Sequence, residues 1–334
     1  MKKINVSAIT SKYLSVIAAT VLFFIAFIVG SVLYQGFFSV QTFLNFFIDK
    51  PFLLISAVGM SLVILSGGID LSVGSVAALT TMIVSSLTQV VGMSHMEAVI
   101  IGLAAGSLIG MCMGLIIAYW DVPPFIATLA GMFFARGLCY IISVQAIPIR
   151  SGLLYNLALW KFRFGNAGFI SFNVIIAILV IAIGIYISLY TKFGRNIYAI
   201  GGNESSALLM GIPVKRTKVL IYTVNGFCSS VAGVVFTLYM LSGYGLHLLG
   251  MELDIIAAVV IGGTLLAGGV GYVFGSAFGV LTITIIQSLI TFDGGINSWW
   301  TRIVVGILLL AFIGLQRIIV VVGNKRARQV RRQS

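Results

Sequence analysis

Charge is what this chain has least of. Asp, Glu, Lys and Arg make up 8% of its 334 residues, against about a quarter in a water-soluble domain, while 60% are hydrophobic and mean hydropathy is +1.15. That scarcity excludes a soluble globular domain. Cysteine is nearly absent too: Cys112, Cys139 and Cys228 all lie in apolar runs without CxxC or paired spacing, which excludes a disulfide framework and leaves small packing residues. The two histidines, His95 and His247, fall at expected outer ends of apolar runs and read as partly exposed loop residues. No His, Cys and acid cluster has metal spacing, so no metal site is expected. The dipeptide Gly-Lys never occurs, so the chain has no phosphate-binding loop. HExxH and GxSxG are missing, and GVGYVFG at 269–275 has the wrong spacing for a dinucleotide fingerprint. A catalyst is not expected.

What is present is apolar sequence in long runs. They do not alternate as barrel strands would, so the fold class is an all-α membrane protein, one permeating domain over 1–334. Ten spans fit, at 13–34, 51–66, 71–90, 97–119, 124–144, 169–190, 218–241, 253–269, 273–291 and 299–320. The first follows Met1-Lys2-Lys3 and lacks a small-residue cleavage site, so it reads as a retained span. With both termini inside, fourteen of the 20 Lys+Arg residues fall on the cytoplasmic side and five on the other: Lys50, Arg150, Lys161, Arg163 and Arg302. Arg136 falls within a span. This bias fixes the orientation. The net charge of +12 is an orientation signal with affinity for anionic lipid headgroups, concentrated in a basic tail at 323–334, and nucleic acid is not an expected partner.

The polar island at 191–218, TKFGRNIYAIGGNESSALLMGIPVKRTK, is therefore cytoplasmic. Within it, 203–210 is expected to form a short helix with Asn203 as N-cap and Gly211 then Pro213 as the stop. The longest external loop, 145–168, carries Trp160, Arg150, Lys161 and Arg163, either as headgroup anchors or as a docking surface.

Glycine marks the packing. Gly102, Gly106, Gly110 and Gly114 line one helix face, a device for close packing more than for lining a pore, and Gly275 and Gly279 repeat it. SGGIDLSVGS at 66–75 interrupts about 40 apolar residues, with Asp70 or Ser72 able to cap the resuming helix or to line a solute path; its depth is open. VVIGGTLLAGG at 259–269 has a related pattern. Spans two to five and seven to ten, taken as two copies offset by five spans, would form an inverted repeat. Polar groups inside spans are costly and so mark function or structural pairing: Arg136, Asn225 and Gln287, with Glu252 and Asp254 near the outer headgroups.

VILSGGIDLSVGS at 63–75, GRNIYAIGGNE at 194–204, and ELDIIA at 252–257 running on to GGT at 262–264 resemble the permease subunits of bacterial ribose-type sugar ABC importers. LAGMFF at 129–134, IPI at 147–149, and FDG at 292–294 followed by SWWT at 298–301 resemble more narrowly the permeases of galactofuranose importers. The resemblance implies a bacterial inner-membrane subunit moving a monosaccharide by alternating access. It implies a second homologous permease, a periplasmic sugar-binding protein and a cytoplasmic ATP-binding subunit, with ATP and Mg bound there and no cofactor on this chain. It also implies roles. Gly194, Arg195, Gly201, Gly202, Asn203, Glu204 and Gly211 would couple to the ATPase. Asp70, Ser72, Ser75, Arg136, Asn225, Asp254, Thr264 and Gln287 would line the path. Arg150, Lys161 and Arg163 would receive the binding protein. The alternative is a self-sufficient ion-coupled transporter or channel, which would need a relay of embedded acids or histidines that the chain scarcely supplies.

Overall fold

A computed structural model describes residues 6–165, 168–295 and 299–314, with side chains from residue 17 onward. The basic tail at 323–334, Lys2, Lys3, Arg317, Ser298 and the end of the tenth expected span lie outside the described residues.

Each expected span holds a helix. The first is α1 (Val6–Leu33), followed by a short α2 (Val40–Ile48) that the sequence reading missed. Ser39 caps α2 by accepting from Thr42 N at 3.1 Å, and Pro51 then starts α3 (Pro51–Leu65), bent by 56° from α2. The bundle continues with α4 (Val73–Gln89), α5 (His95–Tyr119), α6 (Pro124–Ile142), a small α7 (Leu153–Leu159) and α8 (Phe172–Tyr190). The island forms α9 (Lys192–Gly202) and α10 (Glu204–Leu209), and α11 (Val214–Met240), α12 (Met251–Ile261) and α13 (Val273–Asp293) follow. The last described helix is α14 (Trp300–Gly314). Among the described residues five helices (α5, α6, α8, α11 and α13) are long and apolar enough to cross a membrane, or six if α2 and α3 count as one bent span.

The centre is α11, which packs on α5, α3 and α4. The glycine stripe of α5 is what lets α11 come so close. A β-carbon at Gly110 would sit 3.1 Å from the Gly226 Cα of α11, and one at Gly114 would sit 2.9 Å from the Val219 Cα. All four stripe glycines are buried in this packing, so the stripe is a contact face and not a pore lining. Every residue of α3 is buried, which puts it inside the bundle. Cys139 and Cys228 are buried packing residues, whereas Cys112 faces outward.

One expectation needs correction. The eighth expected span, 253–269, is helical only to Ile261; eleven residues rise about 16 Å, half a hydrocarbon core. The chain breaks at Gly262 because the next turn passes through left-handed angles at Gly268 (φ 85°) and Gly269 (φ 74°), which only glycine adopts without strain. The two glycine-rich breaks, 66–72 and 262–272, touch: Gly269 N donates to Leu65 O at 2.9 Å, at one end of the bundle.

A third break, between α11 and α12 at 241–250, enters from the other end. It starts with Leu241 in the left-handed region (φ 50°), and its first residues form β4 (Ser242–Gly243), antiparallel to β1 (Ile147–Pro148). It reaches inward until a β-carbon at Gly74, in the first turn of α4, would lie 2.7 Å from Leu248 O. Two breaks entering from opposite ends thus meet at the start of α4. The expected external loop is ordered by these contacts: β1, α7, then β2 (Lys161–Arg163) paired with β3 (Phe169–Ser171).

Candidate functional site

The island is not one short helix but two. Thr191 Oγ1 accepts from Gly194 N at 3.1 Å and starts α9, and Asn203 Oδ1 accepts from Ser206 N at 2.7 Å and starts α10. The expected helix at 203–210 is α10, with Asn203 in the capping role and Gly211 at φ 78° ending it. Glu204 accepts from Lys218 Nζ at 2.7 Å, an ion pair that ties α10 back to α11. On its outer edge α10 is bare: Leu208, Leu209 and Met210 are 63%, 89% and 68% exposed. Three adjacent apolar side chains are thus left exposed on a polar loop.

The inner face of α9 is where the structure adds most. Gly194 is buried against the Ile187 and Ser188 carbonyls of α8. A β-carbon at Gly201 would press on Leu65 O and lie 2.6 Å from Gly269 N, and one at Gly269 would lie 2.8 Å from Gly202 N. One at Gly268 would meet Gly67 N at 2.7 Å and the Gly201 Cα at 3.2 Å. Five glycines, from α9 and from the two breaks that follow α3 and α12, thus meet backbone to backbone. Tyr198 locks the junction by donating from its hydroxyl to Gly271 O at 2.8 Å. Burial pushes the Tyr198 phenol up to about 12, which keeps it a donor throughout the neutral range. Gly202, by contrast, has open space where a β-carbon would go. Arg195 is exposed at the rim of a cavity of about 370 Å³ between the end of α8, α9 and the 262–272 turn.

Among the path candidates, Asp70, Ser72 and Asn225 come together deep in the bundle. Asp70 Oδ1 accepts from Ser72 N at 2.8 Å and from Ser72 Oγ at 2.7 Å, and Asn225 Nδ2 donates to Oδ2 at 2.7 Å. All three residues are 1% exposed or less, so this is a closed polar knot in which the carboxyl holds the start of α4 to the middle of α11. Asn225 lies eleven residues into α11, about 16 Å from its start, so the 66–75 turn begins at the island end and climbs into the bundle. Ser75 and Thr264 are fully buried. Arg136 donates from Nη1 to Gly245 O and, at 2.9 Å, to His247 O, anchoring the inward 241–250 segment. His247 is half-buried there, a loop residue as read, with its ring edge-on to Phe236 and Tyr244. Glu252, read as lying near headgroups, instead lies against Gly74.

Asp254 and Gln287 are elsewhere. They line a cavity of about 380 Å³ with Lys50, Trp299 and Arg302, at the end of the bundle opposite the island. A second cavity of about 380 Å³ shares Lys50 and Gln287 and adds Asn45, Asp49 and Tyr239. The loop cations Arg150, Lys161 and Arg163 are all exposed, beside an aromatic row in which Phe162 and Phe164 meet edge-on at 5.0 Å. Lys161 Nζ lies 4.5 Å from the Phe169 ring centre. No group of three metal-ligating side chains occurs among the described residues.

Sequence reasoning missed Tyr198, Gly67, Gly268 and Lys50. The glycines were visible as doublets, but nothing local said that they touch. Lys50 was counted only as an outer-end charge.

A family profile described as branched-chain amino acid transport system / permease component matches residues 42–313. The chain is 45% identical over 293 residues to the inner membrane ABC transporter permease protein YjfF of Escherichia coli (strain K12), covering 88% of each chain. It is 40% identical over 316 residues to the fructose import permease protein FruG of Bifidobacterium longum (strain NCC 2705), covering 93% of this chain and 92% of that one. With the ribose import permease protein RbsC of Escherichia coli (strain K12) it shares 36% identity over 281 residues, covering 84% of this chain and 87% of that one. No solved structure matches.

Proposed function

Because the chain belongs to the family of transport-system permease components matched over residues 42–313, we propose that it is the translocating subunit of an ATP-driven sugar importer of the inner membrane. The chain is a permease component and not itself the ATPase. The sugar class is taken from relatives named for fructose and ribose import. Galactofuranose is the finer reading, and it rests on the sequences at 129–134, 147–149, 292–294 and 298–301. The functional unit is this chain with a second permease, a periplasmic sugar-binding protein received at Arg150, Lys161 and Arg163, and a cytoplasmic ATP-binding subunit.

In the ten-span arrangement, both termini are inside and the inward segment 241–250 completes the short α12. The span offset of five pairs the 66–72 break with 241–250. Their entry from opposite ends supports an inverted repeat.

One observation carries the coupling role. The α9–α10 pair is gripped on its inner face by both glycine turns and left apolar and bare on its outer edge. A push on that edge by a closing partner moves Gly201, and with it the ends of α3 and α12 together. The contact is backbone to backbone, so no side chain can absorb the motion by changing rotamer. Leu209→Glu tests this. Leu209 is 89% exposed, so the change costs the fold little. The variant chain should insert normally yet lose co-purification with the ATP-binding subunit and lose sugar uptake in whole-cell assays. Normal association and uptake would sink the assignment.

A further inference from the structure

The two cavities that share Lys50 and Gln287 gather charged and amide side chains from four helices and a loop around open space. Elsewhere Asp70 accepts three hydrogen bonds, Arg136 donates to two carbonyls, and most buried serines and threonines bond back to their own helix, while single buried atoms such as Ser56 Oγ, Ser75 Oγ and Glu252 Oε2 have no partner. Only around these cavities, among the described residues, do several unpartnered polar groups face one open space. Among the described residues, Lys50, Asp254 and Gln287 make no side-chain hydrogen bond and no ion pair within 4 Å; Lys50 lies 5.7 Å from the Phe52 ring centre and feels the Asp49 and Asp254 charges at longer range, and Arg302 stacks on the Trp299 ring at 5.1 Å. Asp254 and Arg302 are exposed and Gln287 and Lys50 half-buried, although they stand among apolar helices. Charged and amide groups at such a place do not face lipid; they face water, a ligand or another protein wall.

From this we propose that the double cavity is a binding chamber for a neutral polyhydroxyl ligand, a monosaccharide held in transit on the external half of the path. The proposal rests on the sugar-importer reading and names its site. Three features set the chemistry. Two cations, Lys50 and Arg302, are matched by two acids, Asp49 and Asp254, so the chamber has no net charge and favours no ion of either sign. Both donors and acceptors are offered, and Gln287, on α13 between the two cavities, offers each from one side chain; a hydroxyl, which donates and accepts, uses both. Trp299 supplies a flat apolar face of the kind that covers the C–H face of a sugar ring. Each cavity, at about 380 Å³, is at the small end of ligand sites, sized for one ring with water. The chamber is open in the single chain. Weak, plural contacts of this kind suit passage, because a tightly held solute would leave slowly.

The chamber also has a floor that can move. Met251 and Asp254 sit in the first turn of α12, whose far end adjoins the turn that packs on Gly201. A shift at the island would therefore tilt the helix that carries the chamber acid.

The test uses the assembled importer in proteoliposomes with its binding protein, D-ribose, D-fructose and D-galactose as labelled probes, and Gln287→Leu, Asp254→Asn and Trp299→Ala as variants. For the sugar that wild type carries, uptake should fall about tenfold in each variant, the loss expected for one hydrogen bond or one ring contact. Complex assembly, read by co-purification, should hold. Uptake by the variants at the wild-type rate would overturn the chamber while leaving the sugar reading intact. Failure of wild type to carry any of the three sugars, of which D-galactose supplies the furanose form of the finer reading, would overturn the sugar reading, and the chamber with it. A second measurement does not depend on transport. In a Cys112→Ser background, Gln287→Cys should react with a membrane-impermeant thiol reagent from outside. The transported sugar should slow that reaction several-fold, and D-gluconate should not. No reaction, or equal protection by the sugar acid, would overturn the proposal.

Discussion

Gly201 and Gly202 are neighbours in α9 with the same backbone freedom, and replacing each by alanine should give opposite results. Neither has a positive φ, so alanine is allowed at both, and each change removes about the same helix penalty, near 1 kcal/mol. What differs is the space. At Gly202 no atom lies within 4 Å of the new β-carbon. At Gly201 the β-carbon would press on Leu65 O and sit 2.6 Å from Gly269 N, where ordinary contact begins at 3.4 Å. The junction must therefore open by about 0.8 Å at Gly269 alone, and both obstacles are main-chain atoms. Overpacking of this kind costs about 1–3 kcal/mol, with the upper end expected where no rotamer can yield. Gly202→Ala should leave thermal stability of the purified complex equal or slightly raised. Gly201→Ala should lower it and, because the two turns are pushed apart, should reduce the sugar moved per ATP hydrolysed. Differential scanning measurements paired with coupled uptake and hydrolysis assays read both quantities. If the two variants melt together and share one coupling ratio, the junction does not carry motion and the reasoning fails.

Two further outcomes follow from the hydrogen bonds. Asn225→Leu keeps volume but leaves the buried Asp70 Oδ2 without a partner, at a cost of about 3 kcal/mol, whereas Asp70→Asn should cost under about 1 kcal/mol because the Asn225 amide, whose Oδ1 is unpartnered, can turn over to accept; chemical unfolding of the two variants should rank them so, and the reverse order would rule out the knot. Tyr198→Phe should cost about 1 kcal/mol by removing the bond to Gly271 O. Since burial raises this phenol from about 10 unfolded to about 12 folded, the bond contributes fully below about pH 10 and is lost as pH rises through about 12. The gap between wild type and variant, measured by thermal melting, should thus be flat from about pH 6 to pH 9; a gap that changes in that range would exclude this role for the tyrosine.

Much of the helical bundle was legible because apolar runs are long and their ends carry punctuation: Pro51 and Pro124 open helices as expected, and Asn203 caps α10 through its own side chain. The α5 stripe was legible because four glycines at a four-residue period fix one face. The failures have a common cause. All fifteen residues of α3 are buried, so no stripe in its sequence records how it is rotated. The 259–269 run is as apolar as a span, and the left-handed angles at Gly263, Gly268 and Gly269 reveal that its helix stops. The path residues illustrate both outcomes. Asp70 and Asn225 are 155 positions apart and bond to each other, while Asp254 and Gln287 face an open chamber; the sequence flagged all four for the same reason, polarity in an apolar run.

The sequence by itself determined that this chain is a helical membrane protein and that its 334 residues hold no phosphate-binding loop. These are sums over composition, run length and charge, and no long-range contact alters them. Only the tertiary structure decided which glycines touch, which breaks face each other, and which polar groups are spent on one another and which remain free for a ligand. Those depend on the rotation and depth of helices that are apolar on nearly every face, and hydropathy carries no information about either.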